Sequence, residues 1–478
     1  MTTEHSQAEG AEGTPRVIGG IGALAIVAGS MLGIGIFLAP PIVAQHLPSP
    51  APFFAIWILA ALAALSGAVA MAELGVTFPR AGGDYVFQRE AFGPSVAFAS
   101  GWVLFGAIFT GSVAALAVPV CQYQLPVLLD PITAWLLGPG WSSDLGAPVL
   151  FGVVTGRQLV AVGLVLGFTL INAVGAKLSS WAQTAMTVVP IAILTVGAVW
   201  ALAGGAAPPS PEALIGPESA FGVVDWTKAY MAVYFAFAGW NAVVYVAGEV
   251  KSPARNIPIG LIGGTVVIAL LYLLLNGAFL EVLGMGGLAT AFEAGTATAG
   301  ALGGDVARLV VTSLIAIALL ASLNGTILQG ARVAFAMAHG AALPQFFGAT
   351  NGAGVPGRAL WFQAAWACVL ILSGTFEQLL SLVSIAMMLC GSLTVASLFV
   401  VRHRRAGQPR AYSALGYPVL PAFYLLSSLA VVVVTVIDAV SSQKLEGWFP
   451  LFGVGLMLAA LIGHLVVTSV LKPKAARA

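Results

Sequence analysis

Charge is what this sequence has least of. Asp, Glu, Lys and Arg make up 8% of its 478 residues and hydrophobic residues 59%, a balance that soluble domains do not show. The chain is read as an all-α polytopic membrane protein whose main partner is the lipid bilayer, and no nucleic-acid partner is expected. Cysteine is nearly absent too. Cys121, Cys368 and Cys390 fall in or beside apolar runs with no CxxC or Cys/His spacing, so neither a disulfide framework nor a metal site is indicated. The apolar segments also lack a carboxylate dyad, metal ligands or a Ser/His pair, so no enzyme activity and no cofactor are expected. Residues 1–15 lack a basic n-region and a small-residue cleavage site. They read as a disordered cytoplasmic tail ahead of an uncleaved first span.

Apolar runs long enough for a bilayer number twelve, centred near residues 30, 64, 108, 166, 192, 237, 270, 320, 366, 389, 428 and 459. With the N-terminus in the cytoplasm, only Arg157, Lys228, Arg308 and Lys444 of the 19 Lys and Arg fall outside. That bias predicts a multi-pass protein of the cytoplasmic membrane with both termini inside. Connections are short except for about residues 122–157, 204–225 and 284–304, all on the outer side and rich in Gly, Pro, Ala and Ser. The first of these has no cysteine between residues 122 and 157, so no disulfide-linked subunit is expected, while homo-oligomers stay open.

Against this apolar background, the stretch "AGSMLGIGIF" (Ala28–Phe37) puts three glycines near the centre of span one. Each interior glycine costs a helix about 1 kcal/mol relative to alanine. Span six has a similar interruption in "VYFAFAGWNAVVYVAGEV" (Val233–Val250), with polar Asn241 at mid-membrane. Two breaks five spans apart predict an inverted repeat of residues 16–204 and 205–405, with spans eleven and twelve (residues 406–478) outside it. A broken helix must face protein or a wet cavity. Its freed N–H groups favour an anion and its freed carbonyls a cation. Gly33, Ile34 and Gly35 can therefore offer amides to a carboxylate. Carbonyls around Met31, and from Phe235 through Ala236 to Ala238, can receive an ammonium, so the pair of breaks suits a zwitterion. The alternative is that these glycines serve close helix packing.

Glu73, Glu249, Glu377 and Asp438 fall near span ends, and the mid-membrane layer reads as empty of charge. Glu73 and Glu249 read first as anchoring carboxylates for Arg80, Lys251 or Arg255, and second as a coupling site for protons. His46 has no evident partner.

Four separated motifs carry a resemblance: "GSMLGIGIF", "AELGVTFPRAGGDYVF", "FAFAGWNAVVYVAGEVKSPARNIP" and "SLNGTILQGARVAFAMA". In order and predicted membrane side they resemble the amino acid, polyamine and organocation superfamily, in its L-amino acid transporter branch, from about residue 16 to 470. The resemblance implies a LeuT-like five-plus-five fold with alternating access and an amino acid bound at broken helices one and six. It implies that Phe235 is an aromatic gate and that Asn241 faces the substrate; the bland readings are a packed aromatic and an interhelical hydrogen bond. Relatives often carry serine where this chain has Ile34. Many neutral carriers place a lysine where this chain has Pro190, so no fixed cation replaces sodium there. The resulting expectation is a sodium-independent permease or antiporter of small or medium neutral amino acids. A cationic amino acid or polyamine exchanger, or a membrane amino acid sensor, is the alternative.

Overall fold

The computed structural model describes residues 16–129, 146, 148–150, 154–205, 221–373, 376–442, 455 and 457–466. The expected tail, residues 1–15, lies outside them. Span one is split into α1 (Gly20–Met31) and α2 (Gly35–His46), and α3 (Pro50–Thr77) follows. A short α4 (Asp84–Phe92) leads into α5 (Pro94–Leu129). A hairpin of β1 (Pro148–Leu150) and β2 (Val154–Thr155) precedes α6 (Gly156–Val174) and α7 (Ala176–Trp200). Span six consists of α8 (Val223–Ala236) and a single turn, α9 (Ala242–Tyr245). After it come α10 (Pro253–Thr290), α11 (Ala294–His339), α12 (Gly357–Ser373), α13 (Phe376–Arg404), α14 (Val419–Ser442) and α15 (Met457–Val466).

Eight described helices are long and apolar enough to cross a membrane, or nine with α1 and α2 taken as one bent span. Helix length alone thus falls short of the expected twelve. The expected spans near 237, 366 and 459 coincide with broken span six and with the shorter apolar helices α12 and α15. The 46 residues of α11 exceed any bilayer crossing, and the path breaks at Gly303 and Gly304, where Gly304 takes φ +60°. Much of the link expected over 284–304 is therefore helical, with a further break at Gly284.

Local chemistry explains several of these boundaries. Thr155 and Gln158 form a capping box at the start of α6, the Gln158 N–H donating to Thr155 Oγ1 at 3.3 Å and the Thr155 N–H to Gln158 Oε1 at 2.8 Å. Deeper in, Asn172 donates to Asn324 Oδ1 at 2.8 Å and Asn324 donates to Gln183 Oε1 at 2.9 Å. This buried amide chain ties α6, α7 and α11 together where apolar side chains alone would give little preference over lipid. At the opposite edge, His46 finds the partner that the sequence does not reveal, Asp225, with Nδ1 to Oδ1 at 3.0 Å. That contact joins the end of α2 to the start of α8.

The basic end of the bundle is held by ion pairs with partners other than those expected. Glu249 accepts from Arg332 Nε at 2.9 Å, and Arg332 is 1% exposed. Glu73 accepts from Arg402 Nε at 2.9 Å, lies 3.3 Å from Arg410, and takes the Ala414 N–H at 2.6 Å. Arg80 turns instead to Glu90 in its own connection, at 2.7 Å. Proximity along the chain suggested the nearer bases, whereas packing brings α11 and α13 against the ends of spans six and two. The chain entering α1 also pairs with the segment after α9, the Lys251 N–H donating to Ile18 O at 2.8 Å.

Removing one partner of a buried ion pair leaves an uncompensated charge, at a cost of about 3–5 kcal/mol. Arg332→Met should therefore lower the melting temperature of the purified protein markedly, and Arg332→Met with Glu249→Gln should recover part of the loss. Thermal unfolding of both variants checks this, and a single variant that melts like the parent contradicts it.

Candidate functional site

Span one leaves its helical path at Leu32, with φ −72° and ψ 81°, and α1 and α2 diverge by 43°. Among the described residues, the N–H groups of Ile34, Gly35 and Ile36 open α2 without an acceptor on the chain. Gly33 differs from the expectation, because its N–H turns back to Met31 O at 2.8 Å.

Span six breaks after Ala236 and resumes at Ala242. Gly239 takes φ +98°, and a Cβ placed there would lie 2.7 Å from the Ser30 carbonyl oxygen. Only glycine suits both the conformation and the approach. The two breaks therefore meet backbone to backbone. They meet again at Gly35, whose Cβ would lie 2.4 Å from Ala236 Cα. The packing and ligand readings of the glycines are thus divided between positions: Gly35 and Gly239 are fixed by contact, while a Cβ on Gly33 would meet nothing closer than Ser322 Oγ at 3.6 Å.

Around the breaks lies a cavity of about 110 Å3, room for several waters or a small organic molecule. Of the sequence-predicted residues, Met31, Gly33, Ile34, Gly35, Phe235, Ala238 and Asn241 line it. Ala236 does not; it is 1% exposed and packs on Gly35. Glu73 and Glu249 are also absent from the lining, being engaged at the basic end.

The carbonyls are less free than the sequence suggests. Tyr272, from α10, places its hydroxyl 2.6 Å from Met31 O and 3.0 Å from Ala236 O, so one side chain bridges both breaks. With the Gly33 N–H also on it, Met31 O has both lone pairs engaged. The Ser30 carbonyl takes the Ser322 hydroxyl at 3.1 Å, and Ser30 Oγ accepts from Gln329 at 2.9 Å. Asn241 donates to the Tyr245 hydroxyl at 3.1 Å, which in turn donates to Asp84 Oδ2 at 2.8 Å. Sequence reasoning missed Tyr272, Ser30, Tyr245 and Asp84. The last stands in the quoted "AGGDY", and its signal was the one carboxylate following paired glycines.

The lining brings together free amides, polar oxygens and an aromatic, Phe235. A sequence profile described as amino acid permease matches residues 18–462. The chain belongs to the amino acid permease family. It is similar to the serine/threonine exchanger SteT of Bacillus subtilis (strain 168), 26% identical over 91% of this chain and 94% of that protein. The b(0,+)-type amino acid transporter 1 of Mus musculus is 26% identical over 93% of this chain and 86% of its own. The large neutral amino acids transporter small subunit 2 of Oryctolagus cuniculus is 25% identical over 89% and 78%. This permease is accordingly a multi-pass membrane transporter of amino acids and not an enzyme.

The glycine geometry separates two variants. Gly35→Ala drives a methyl into the Ala236 backbone and should destabilise the protein by roughly 1–3 kcal/mol. Gly33→Ala should melt close to the parent and instead weaken substrate binding, because its methyl enters the cavity. Thermal unfolding with and without amino acid reads both effects, and the reverse pattern would refute the assignment.

Proposed function

We propose that this permease exchanges small or medium neutral L-amino acids across the cytoplasmic membrane by alternating access, with both termini in the cytoplasm. The observation that carries the reading is the cavity at the paired breaks. Its free Ile34 and Gly35 amides suit a carboxylate, and the carbonyls of Phe235 and Ala238 on the lining suit an ammonium. Met31 then contributes through the fixed shape of the break, its carbonyl being held by Tyr272. Small side chains are supported by Ala238 on the lining and by a relative that is a serine/threonine exchanger. The Lys and Arg bias supports the orientation, which makes the ion-paired basic end cytoplasmic.

The five-plus-five repeat is the arrangement in which two such breaks are related by inversion. Rocking of the broken helices against the rest would then expose the cavity alternately to each side. Phe235 is assigned to the gate, closing the cavity from outside. Cationic amino acid exchange is the second reading, favoured by one observation: the Asp84 carboxylate on the lining.

In proteoliposomes, exchange of internal for external serine, threonine or alanine should be faster than net uptake and unaffected by sodium. A rate rising several-fold with sodium sinks the coupling assignment, and preferred uptake of arginine or lysine sinks the substrate assignment. Phe235→Ala should lower turnover more than affinity, since occlusion is lost rather than contact, while Phe235→Trp should retain activity. Parental turnover in both variants would make Phe235 a packing residue.

A further inference from the structure

Asp84 is the carboxylate that the ion pairs leave out. It is 1% exposed, it lies in the connection between spans two and three, and yet it lines the cavity at the span breaks. Oδ2 accepts from the Tyr245 hydroxyl, while Oδ1 is buried with no hydrogen-bond partner. Among the described residues no Arg, Lys or His pairs with it. The nearby Thr394 hydroxyl donates to the Cys390 carbonyl at 3.0 Å and accepts from Gln88 at 2.8 Å. An ionised carboxylate in such a place would be strongly penalised, whereas a protonated one needs only one good partner.

The position matters as much as the burial. Gly82 and Gly83, just before Asp84, take φ +109° and +48°, and a Cβ on either would strike Ala336 or the Tyr245 ring. The Gly82 N–H donates to Tyr245 O at 3.0 Å. Two bonds, one from each end of Tyr245, therefore clamp this connection to α9, the inner remnant of span six. The clamp forms the floor of the cavity, on the side of the basic end. Opening that side requires the inner piece of a broken helix to part from its neighbours, and Asp84 sits at the parting line.

Resting on the transport reading above, we propose that Asp84 is a proton-binding residue that couples opening of the cavity floor to pH. In the closed conformation the proton resides on the carboxyl beneath Tyr245. When the floor opens, water reaches the carboxyl and the proton passes to that water; on closing, the carboxylate takes a proton back from water on the same side. No other bond changes. Glu73 and Glu249 are poorer candidates, since each is engaged by an arginine at the basic end and neither lines the cavity.

The titratable groups facing Asp84 are few. Span six brings Tyr245, α13 brings Cys390, and Tyr234 and Tyr424 act from further off. From α11 the packed cation is Arg332, engaged with Glu249, and α5 brings Ser100, which does not titrate. On α4 itself Glu90 pairs with Arg80, and Arg89 is exposed at the far end. Burial pushes the Asp84 carboxyl up to about 7, against the lowering effect of the Tyr245 hydroxyl. A raised carboxyl means that the closed conformation binds the proton more tightly than a hydrated one. Protons therefore favour closure, and the preference fades as pH rises through about 7.

The test is counterflow of serine in proteoliposomes as the pH on the cytoplasmic side is varied, alongside infrared titration of the protonated carboxyl band in the purified protein. Between pH 8 and pH 6 the closed form should gain up to about tenfold over the open one, slowing exchange several-fold. Asp84→Asn should abolish the pH dependence and remove the band, and Asp84→Glu should keep both with a displaced midpoint. Tyr245→Phe, which loses the donor to the ionised form, should move the midpoint to higher pH. A pH profile or band that survives in Asp84→Asn overturns the proposal. So does a selective loss of lysine and arginine exchange with the profile unchanged, which would give the carboxylate to a cationic substrate side chain. If Asp84→Asn does not fold, an unmoved midpoint in Asp84→Glu overturns it equally. Counterflow of no amino acid at any pH would sink the transport reading instead, and the infrared titration would still decide the role of Asp84.

Discussion

A peptide group with no partner in hydrocarbon costs several kcal/mol, and this chain interrupts two helices in the middle of its bundle. The Tyr272 hydroxyl meets much of that requirement by reaching carbonyls of both breaks, Met31 O and Ala236 O. Its ring is held by Trp57 and Phe237 in edge contacts at 5.9 and 5.1 Å. A third span thus fixes the separation of the two broken ones. Gly35 against Ala236 and Gly239 against Ser30 then allow the backbones to touch, so the breaks form one wall. The amides of Ile34 and Gly35 are left over beside a cavity that has room for water or a ligand to receive them.

The same economy of polar groups orders the rest of the bundle. In the apolar interior, the amide chain through Asn172, Asn324 and Gln183 selects which helices pair, since dispersion alone distinguishes poorly between a helix and lipid. At the basic end the selection is made by charge: Arg332 and Arg402 reach back to the carboxylates that end spans six and two. These are buried pairs whose value lies in holding one arrangement rather than in net stability. They sit together at one end of the bundle, so a conformation that opens there has to break or rehydrate them.

How much of this the sequence could reveal depends on the range of the interaction. Hydropathy and glycine placement are local, and they located both breaks and seven residues of the cavity lining, while eight or nine described helices, not twelve, are long and apolar enough to span. Positive-φ glycines are also local, yet which glycine is there for a contact and which for a ligand depends on what lies opposite, and Gly33 and Gly35 are alike on paper. Ala236 illustrates the limit: it ends α8 two residues before Ala238 in the break, and it packs on Gly35 rather than lining the cavity. The partners of Glu73 and Glu249 lie far along the chain, and charge proximity suggested the wrong bases. Tyr272 carried no sequence signal at all, being one tyrosine in an apolar helix.

Asp84 marks the most instructive gap. Counting charges by depth along each span leaves the mid-membrane layer empty, because a residue in a connection is assigned to the surface. Gly82 and Gly83 undo that assumption, since their left-handed turns fold the connection inward against α9 and carry the next side chain to the cavity. The charge that the spans lack is thereby supplied from outside them. A loop carboxylate brought in this way differs from one built into a span in a mechanically useful respect: it leaves the low-dielectric site whenever its loop does, so its affinity for a proton changes with the conformation rather than being fixed by it.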